Sequence, residues 1–222
     1  MRIATYNIRV TKPEDIKKGR AFLFRLPRIL RNLKKVDADV IAFQEVQRLH
    51  ITCLRLFLRG YKIHWAKWAE DGGTAIAVKK GYELFNGYTI TLPSGRNAAV
   101  NIIRYDYLTY IRVVSLHLSL NNDKLNDIKE IEHTHIKLSI VAGDFNILAD
   151  DYNHEVFRYL KEKGYRKLNE DKGGFHGYGD ADKTPATVDN FFSNFGELES
   201  INVINDKKSS DHNLMYIDLK LQ

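Results

Sequence analysis

Eight short apolar runs recur along the chain, and their length is the feature that most limits how it can fold. Each run has four to six residues, is rich in Val, Ile and aromatic residues, and lies between polar or turn-forming residues. Runs of this kind predict β-strands. The predicted strands are residues 2–6, 40–43, 74–78, 98–103, 111–116, 139–142, 190–194 and 214–219.

Four longer segments predict α-helices between some of these strands. They are residues 26–33, 47–58, 123–133 and 154–163. Pro27 suits the first turn of the first helix, and Gly164 suits the C-terminal cap of the last. Several strands follow each other without a helix, and residues 105–107 predict a hairpin turn between two of them. This mixture favours an α+β sandwich over a purely parallel sheet.

Length and composition limit the class of protein. At 222 residues, of which 44% are hydrophobic, the chain can bury one sizeable core, and we expect residues 1–222 to form a single domain. No apolar run approaches the length of a membrane span, and the N-terminus lacks the features of a secretory signal. A cytoplasmic, intracellular protein is therefore expected. The only cysteine, Cys53, excludes a disulfide within the chain and a zinc site made of thiolates, so no disulfide-linked partner is expected.

Positive charge is concentrated in the first third of the chain. Residues 1–70 contain 16 Lys and Arg against 6 Asp and Glu, whereas residues 71–222 contain 18 against 22. A basic surface of this kind attracts polyanions and makes their binding dependent on salt. A solvated helix face that keeps the protein in solution explains the same charge equally well.

Polar side chains stand where several predicted strands end. Glu45 follows a strand directly, after Gln44, and a single carboxylate in such a place suits Mg²⁺, which prefers one or two carboxylates with water and phosphate oxygens. A glutamate here also occurs simply as a neighbour of a helix N-cap. Asp144 and Asn146 follow Gly143 after another strand, where Asp144 could orient or deprotonate a water and Asn146 could hold a phosphate oxygen or a metal. The same residues are common in turns.

Histidines complete this set of polar residues. Asp211 and His212 precede the last predicted strand, and Asp189 is the candidate partner that orients the His212 imidazole for proton exchange near neutral pH. His117 ends another strand, where it could hydrogen-bond charge that develops on phosphorus. A loop or cap for the Asp-His pair, and a core position for His117, are the alternative interpretations. His133 and His135 lack a third ligand at a useful spacing, and we interpret them as surface residues.

In their order along the chain, these motifs resemble those of the endonuclease/exonuclease/phosphatase superfamily, the deoxyribonuclease I-like group. The resemblance runs from residue 5 to residue 212, and the ordered set is much more specific than any single motif. It rests on Thr5-Tyr6-Asn7, Gln44-Glu45, Arg96, Ser115-Leu116-His117-Leu118, Gly143-Asp144-Phe145-Asn146, Asp189 and Ser210-Asp211-His212. The resemblance implies a four-layer α/β/β/α sandwich of two mixed sheets with helices outside, and hydrolysis of phosphate esters with Mg²⁺, for which Mn²⁺ can substitute.

The resemblance also implies a role for each residue. Glu45 would be the principal metal ligand, with Asn7 and Asp211 beside it. The catalytic set would be His212 oriented by Asp189, Asp144 acting on the attacking water, and His117 stabilising the transition state. Asn146, Arg96 and Asn7 would contact the substrate phosphate. Some members of the superfamily pair the histidine at position 117 with a glutamate. The corresponding segment here contains Glu70 and Asp71, and the sequence does not select between them.

The substrate is less well determined by the sequence. We favour a nuclease, because the basic first third suits nucleic acid, and because Arg9, Trp65, Trp68 and Tyr178 could contact or stack on bases. The same aromatic residues could equally belong to the core. A phosphatase acting on a small or lipid-linked phosphate is the alternative, and a binding module without catalysis is a third. The glycine-rich segment 170–183 is a candidate substrate loop or a simple connection.

Overall fold

The computed structural model describes residues 1–68, 72–120, 123–132, 136–148, 153–170, 172–178 and 186–221. These residues form two six-stranded β-sheets packed face to face, with helices on both outer surfaces. The strands are β1 (Arg2–Asn7), β2 (Val40–Gln44), β3 (Tyr61–Lys67), β4 (Gly73–Lys79), β5 (Glu83–Thr91), β6 (Asn97–Arg104), β7 (Tyr110–His117), β8 (Leu138–Asp144), β9 (Arg166–Lys167), β10 (Asp189–Ser193), β11 (Glu197–Ile204) and β12 (Leu214–Lys220). The helices are α1 (Pro13–Lys17), α2 (Phe22–Val36), α3 (Arg48–Phe57), α4 (Lys124–Glu132) and α5 (Glu155–Glu162). The four-layer sandwich is confirmed.

The two sheets share one arrangement of strands. Their orders are β11-β12-β1-β2-β4-β3 and β5-β6-β7-β8-β10-β9. The central pair is parallel in each, β1 with β2 and β7 with β8, and the other described pairs are antiparallel. The carboxyl ends of four central strands therefore meet at one edge of the sandwich, where the amino ends of β10 and β12 also lie.

Burial on both faces explains why the central strands are apolar along their whole length. In β2, Val40 and Ala42 face the core between the sheets, while Ile41 and Phe43 pack towards α2 and α3 on the outer side. In β8 the outer side chain Val141 packs towards α4 and α5 in the same way. Alternation of this kind gives the molecule three apolar layers, one between the sheets and one under each set of helices.

All eight strands predicted from the sequence are present, and the four that were missed are the edge strands of the two sheets. β3, β5, β9 and β11 each pair on one side only. Much of their surface is exposed or only partly buried. Their sequences therefore contain Lys, Glu, Asn and Gly, which conceal the apolar alternation by which strands are recognised.

The helix predictions miss α1 and place the start of α2 too late. α2 begins at Phe22, so Pro27 lies inside the helix and not in its first turn. Proline lacks the N–H that would bond the carbonyl of Leu23, and the helix continues because its apolar face packs on the first sheet. Gly164 follows α5 at φ +83°, and its N–H bonds the carbonyl of Lys161, as expected for a C-terminal cap. In the described part of the chain, no helix is long and apolar enough to cross a membrane.

Candidate active site

A cleft of about 800 Å³ opens at the edge where the central strands end. Most residues that the sequence assigned to a site line it: Glu45, Arg96, His117, Asp144, Asn146, Asp211 and His212. Asn7 and Asp189 are almost fully buried behind these residues and contact them directly. The strand topology therefore brings together residues that are up to about two hundred positions apart in the chain.

The two sheets are joined at this edge by buried polar contacts. The Gln44 amide donates a hydrogen bond of 3.2 Å to the Ser115 hydroxyl, which in turn donates to the carbonyl of Phe43 at 2.9 Å. These bonds satisfy polar groups that would otherwise be buried without partners. They hold β2 and β7 against each other just before Glu45 and His117 emerge.

His212 and Asp189 form a buried pair. The imidazole Nδ1 lies 2.8 Å from a carboxylate oxygen of Asp189. Burial alone would lower the pKa of His212, but the charge and the hydrogen bond of Asp189, with the nearby carboxylate of Asp144, raise it to about 10. At neutral pH the ring is therefore an imidazolium, in which both nitrogens are proton donors.

Asp144 lies between the two histidines. Its Oδ2 is 3.7 Å from Nε2 of His212 and 3.5 Å from Nε2 of His117. Burial raises the pKa of Asp144 to about 7, although the positive charge of His212 opposes this effect. A carboxyl group that titrates near neutral pH is suited to accept a proton from water.

Gly143 allows the backbone to reach this position. Its φ is +147°, and a Cβ built there would lie 2.0 Å from the carbonyl oxygen of Leu116 on β7. No other residue fits so close to the neighbouring strand. The glycine that the sequence places before Asp144 is therefore required by packing as well as by the turn.

Asn7 connects Asp144 to Glu45. Its amide nitrogen donates to Oδ2 of Asp144 and to Oε1 of Glu45, in both cases at 3.1 Å. The other oxygen of Glu45 accepts from the backbone N–H of Val10 at 2.9 Å. Two carboxylates are thus held close together at the cleft, and the amide nitrogen of Asn7, not its oxygen, faces them.

Asp211 has a partner that the sequence analysis did not identify. Its carboxylate forms a short ion pair with the guanidinium of Arg9, which also lies 3.2 Å from the buried carboxylate of Asp15. Arg9 adopts φ +56°, so its backbone is strained at this position. The sequence suggested Arg9 only as a contact to bases, and α1, which contributes Asp15, was not predicted.

His117 is held by a different set of contacts. Burial, together with the positive charges of Arg96 and His212, lowers its pKa well below the ordinary value, so the ring is neutral. It packs against Trp68 with ring centroids 5.4 Å apart. Arg96 stacks on the same indole at 4.8 Å and donates to the carbonyls of His117 and Leu118. The placement of Arg96 therefore supports the end of β7.

Asn146 and Glu45 both have left-handed backbone conformations, with φ of +49° and +58°. The side-chain amide of Asn146 donates to the carbonyl of Leu118, and its backbone N–H donates to the carboxylate of Asp144. Non-glycine residues rarely adopt such angles, and the strain is of the kind found where side chains are aimed into a site.

Gly174 and Phe175 belong to the site although the sequence did not single them out individually. The backbone at Phe175 bridges to His212, and the two rings meet edge to face with centroids 4.9 Å apart. A Cβ at Gly174 would lie 2.1 Å from a carboxylate oxygen of Asp189. The Gly173-Gly174 pair upstream of Asp189 was the available signal, because paired glycines mark a close approach of backbone.

Two groups of side chains at the cleft could hold a divalent cation. Asp144, Asp189 and His212 have donor atoms within 4.8 Å of one another. In this group Asp189 and His212 are hydrogen-bonded to each other at 2.8 Å, and His212 offers a ring nitrogen, which Mg²⁺ uses less readily than oxygen. Glu45 and Asp211, which line the same cleft, offer only oxygen donors, and these fit Mg²⁺ or Mn²⁺.

Some earlier expectations fall on residues outside the described part of the chain. These are the possible acid partners of His117 at Glu70 and Asp71, the histidines His133 and His135, and positions 171 and 179–183 of the glycine-rich segment. Residues 172–178 of that segment pack against the residues before β12 through hydrogen bonds from the backbone N–H groups of His176 and Gly177 to the carbonyl of Asp211.

Comparison with known proteins bears on the family and the fold. The model of the endonuclease/exonuclease/phosphatase family matches residues 4–212. No curated protein sequence matches the chain. A solved structure of an endonuclease/exonuclease/phosphatase family protein from Bacteroides thetaiotaomicron is similar, with a TM-score of 0.86 and 17% identity over 100% of this chain and 98% of that one.

Two other solved structures share the fold. One is the mannosyl-6-phosphatase Bt3783 from Bacteroides thetaiotaomicron, with a TM-score of 0.81 and 15% identity over 100% of both chains. The other is the catalytic domain of human Nocturnin with a bound sulfate anion, with a TM-score of 0.76 and 17% identity over 100% of this chain and 93% of that chain.

The raised pKa of Asp144 leads to a prediction about stability. Its folded-state pKa of about 7 lies above the ordinary aspartate value of 3.8, so the buried carboxyl destabilises the fold progressively as pH rises between these values. We expect Asp144→Asn, measured by melting in EDTA, to gain stability relative to wild type between pH 5 and pH 8. The expected gain is about 1–3 kcal/mol, or roughly 3–10 °C.

Asp123→Asn makes the same chemical change at an exposed position near α4 and serves as the control. A melting-temperature difference for Asp144→Asn that is constant or shrinks as pH rises would contradict the raised pKa.

Proposed function

We propose that this chain, which belongs to the endonuclease/exonuclease/phosphatase family of metal-dependent phosphoester hydrolases, is a nuclease that hydrolyses phosphodiester bonds in DNA or RNA. The reaction is in-line attack of water on the phosphorus. The residues that we assign to catalysis end, begin or precede strands of both sheets. They therefore meet at one edge of the sandwich.

We assign the divalent cation, Mg²⁺ or Mn²⁺, to Glu45, with Asn7 and Asp211 beside it. When bound, the cation neutralises phosphate charge and the leaving oxygen. Asn7 positions the Glu45 carboxylate through its 3.1 Å hydrogen bond, and Arg9 balances the charge of Asp211. As a ligand, Asn7 would present its oxygen, which now accepts from the backbone N–H of Arg9.

Proton transfer and charge stabilisation fall to the other residues. Asp144, with its pKa near 7, takes a proton from the attacking water. His212, held as an imidazolium by Asp189, donates from Nε2 to the scissile phosphate, and neutral His117 donates to the same developing charge. Asn146 and Arg96, which line the cleft, contact the phosphate oxygens.

One observation favours a nucleic acid over a small ester. Trp68 lines the cleft beside His117, with ring centroids 5.4 Å apart, and Lys12 lines the same cleft. An aromatic ring and a cation next to the phosphate site suit a base and a neighbouring phosphate of the same strand.

Phosphatase activity on a small ester is the second candidate. The same catalytic residues can hydrolyse a phosphomonoester, and a neighbouring structure is named a mannosyl-6-phosphatase. At 15% identity that likeness shows the fold alone and does not decide the substrate. The activity assay therefore includes small phosphomonoesters as well as nucleic acids.

The test uses labelled single-stranded DNA, duplex DNA and RNA with Mg²⁺, and phosphate release from mannose 6-phosphate and inositol phosphates. We expect chain cleavage that stops with EDTA and returns when Mg²⁺ is added in excess. Glu45→Gln should lower kcat/KM on the order of 10²–10³-fold, because the loss of a metal-ligand charge removes several kcal/mol of transition-state stabilisation.

Glu162→Gln, an exposed carboxyl on α5, is the matched control and should cleave like wild type. Phosphate release from small esters without any change in polymer length would replace the nuclease proposal by the phosphatase. No turnover of any substrate at high enzyme concentration would favour a non-catalytic binding module.

Gly174 provides a separate test of the His212–Asp189 pair. In Gly174→Ala the new Cβ displaces the Asp189 carboxylate, so we expect kcat with a small chromogenic phosphodiester to fall by about 10²-fold, as for misplacement of a catalytic group by an ångström. Gly60→Ala, where a Cβ meets no atom within 4 Å, is the control. Wild-type kcat in Gly174→Ala would argue against a role for the pair.

A further inference from the structure

A second depression of about 400 Å³ lies beside the candidate active site and is strongly basic. Arg20 and Arg28 line it from the segment before α2 and from α2 itself, and Lys208 lines it from the loop before β12. Tyr178 and the exposed ring of Phe24 complete its wall. Two parts of the chain that are distant in sequence, residues 20–28 and the loop before β12, thus place cations around one concave surface.

The side chains of these three residues form no ion pair with a described acid, although the Asp206 carboxylate accepts the backbone N–H of Lys208 at 3.1 Å. Within the described ranges, no carboxylate oxygen lies within 4 Å of the charged groups of Arg20, Arg28 or Lys208. Arg31 on the same helix differs, because it pairs with Asp206 at 3.7 Å. Grouped cations without counter-charges repel one another, and an anion placed between them would remove that repulsion.

The depression is joined to the active site through Tyr178. The guanidinium of Arg20 lies 4.4 Å from the centre of the Tyr178 ring, and that of Arg9 lies 5.1 Å from it. Arg9 in turn binds the carboxylate of Asp211 in the cleft. The backbone N–H of Gly177 also bonds the carbonyl of Asp211 at 3.2 Å.

Buried hydrogen bonds make the floor of the depression rigid. Arg25, which is only 2% exposed, donates from Nη1 to the carbonyls of Ile8 and Ser209, at 2.7 and 2.8 Å. Its Nε donates to the carbonyl of Arg20 at 2.7 Å. The same side chain therefore holds the start of α2, the end of β1 and the loop before β12, so the surrounding cations are presented on a fixed frame.

We propose that this depression binds a second phosphate of a single-stranded nucleic acid whose scissile phosphate lies in the active-site cleft. The inference rests on, and narrows, the proposed nuclease function. Arg20, Arg28 and Lys208 bind the backbone phosphate, and Tyr178, held by Arg9 and Arg20, lies between the two sites. A substrate with one phosphate cannot occupy both sites.

An anionic membrane surface would contact the same cations differently. Leu23 and Phe24 on α2 are 54% and 64% exposed, and apolar side chains next to lysine and arginine suit a lipid interface. A concave site with cations around it suits a phosphate group of a strand better than a flat bilayer. The membrane is therefore an outcome that the test must detect.

The test measures binding of a fluorescein-labelled 20-nucleotide oligothymidylate by anisotropy in EDTA, where cleavage does not occur. We expect Arg28→Ala/Lys208→Ala to raise Kd by about tenfold at 0.1 M salt. The slope of log K against log salt should also become shallower by about 0.7 for each lost phosphate contact. Lys161→Ala/Lys220→Ala removes the same charge from exposed positions elsewhere and should change Kd by less than about twofold.

An equal rise of Kd in both double variants, or no change of Kd in either, would overturn the inference, as would failure of the wild-type protein to bind the oligonucleotide. Loss of binding to vesicles with 20% phosphatidylserine, with oligonucleotide binding unchanged, would overturn it in favour of a membrane surface. The nuclease proposal is judged separately by cleavage in Mg²⁺. Selective loss of oligonucleotide binding without any cleavage would support this site and reject the nuclease activity.

Discussion

The buried contact between His212 and Asp189 is the interaction on which the rest of the site depends. Two carboxylates and one imidazole are removed from water within a few ångströms, which is costly unless their charges balance. The imidazolium of His212 partly neutralises Asp189 and Asp144 together. The same charge balance leaves Asp144 able to exchange a proton near neutral pH and leaves His212 as a donor, so stability and chemistry have a common origin.

Strand topology makes that contact possible. Asp189 begins β10, Asp144 ends β8 opposite it, and His212 precedes β12 in the other sheet. Gly143 and Gly174 allow the backbone to come close enough, because a Cβ at either position would collide with a neighbour. Asn7 then extends the network to Glu45, so the proton-exchanging residues and the proposed metal ligand are separated by one amide group.

The central strands and most of the candidate site residues were predictable from the sequence. The central strands are buried on both faces and are therefore apolar throughout, whereas the edge strands β3 and β11 face solvent and lose that signal. Site residues that end buried strands, such as Glu45 and His117, stand out as polar groups after apolar runs. The Arg9–Asp211 ion pair and the close approach of the Gly174 backbone to Asp189 do not stand out in this way. They depend on how loops lie in space, which the sequence pattern does not indicate.

The protonation state of His212 is the most direct test of this account. It can be read by ¹⁵N NMR of the ring nitrogens in metal-free protein at pH 8, with the resonances assigned by comparison with a His212→Asn variant. We expect both ring nitrogens of His212 to carry protons at pH 8. The ring should lose a proton only well above pH 8, in accord with a pKa of about 10. A neutral ring at pH 8, titrating near the ordinary histidine value of 6.5, would contradict it.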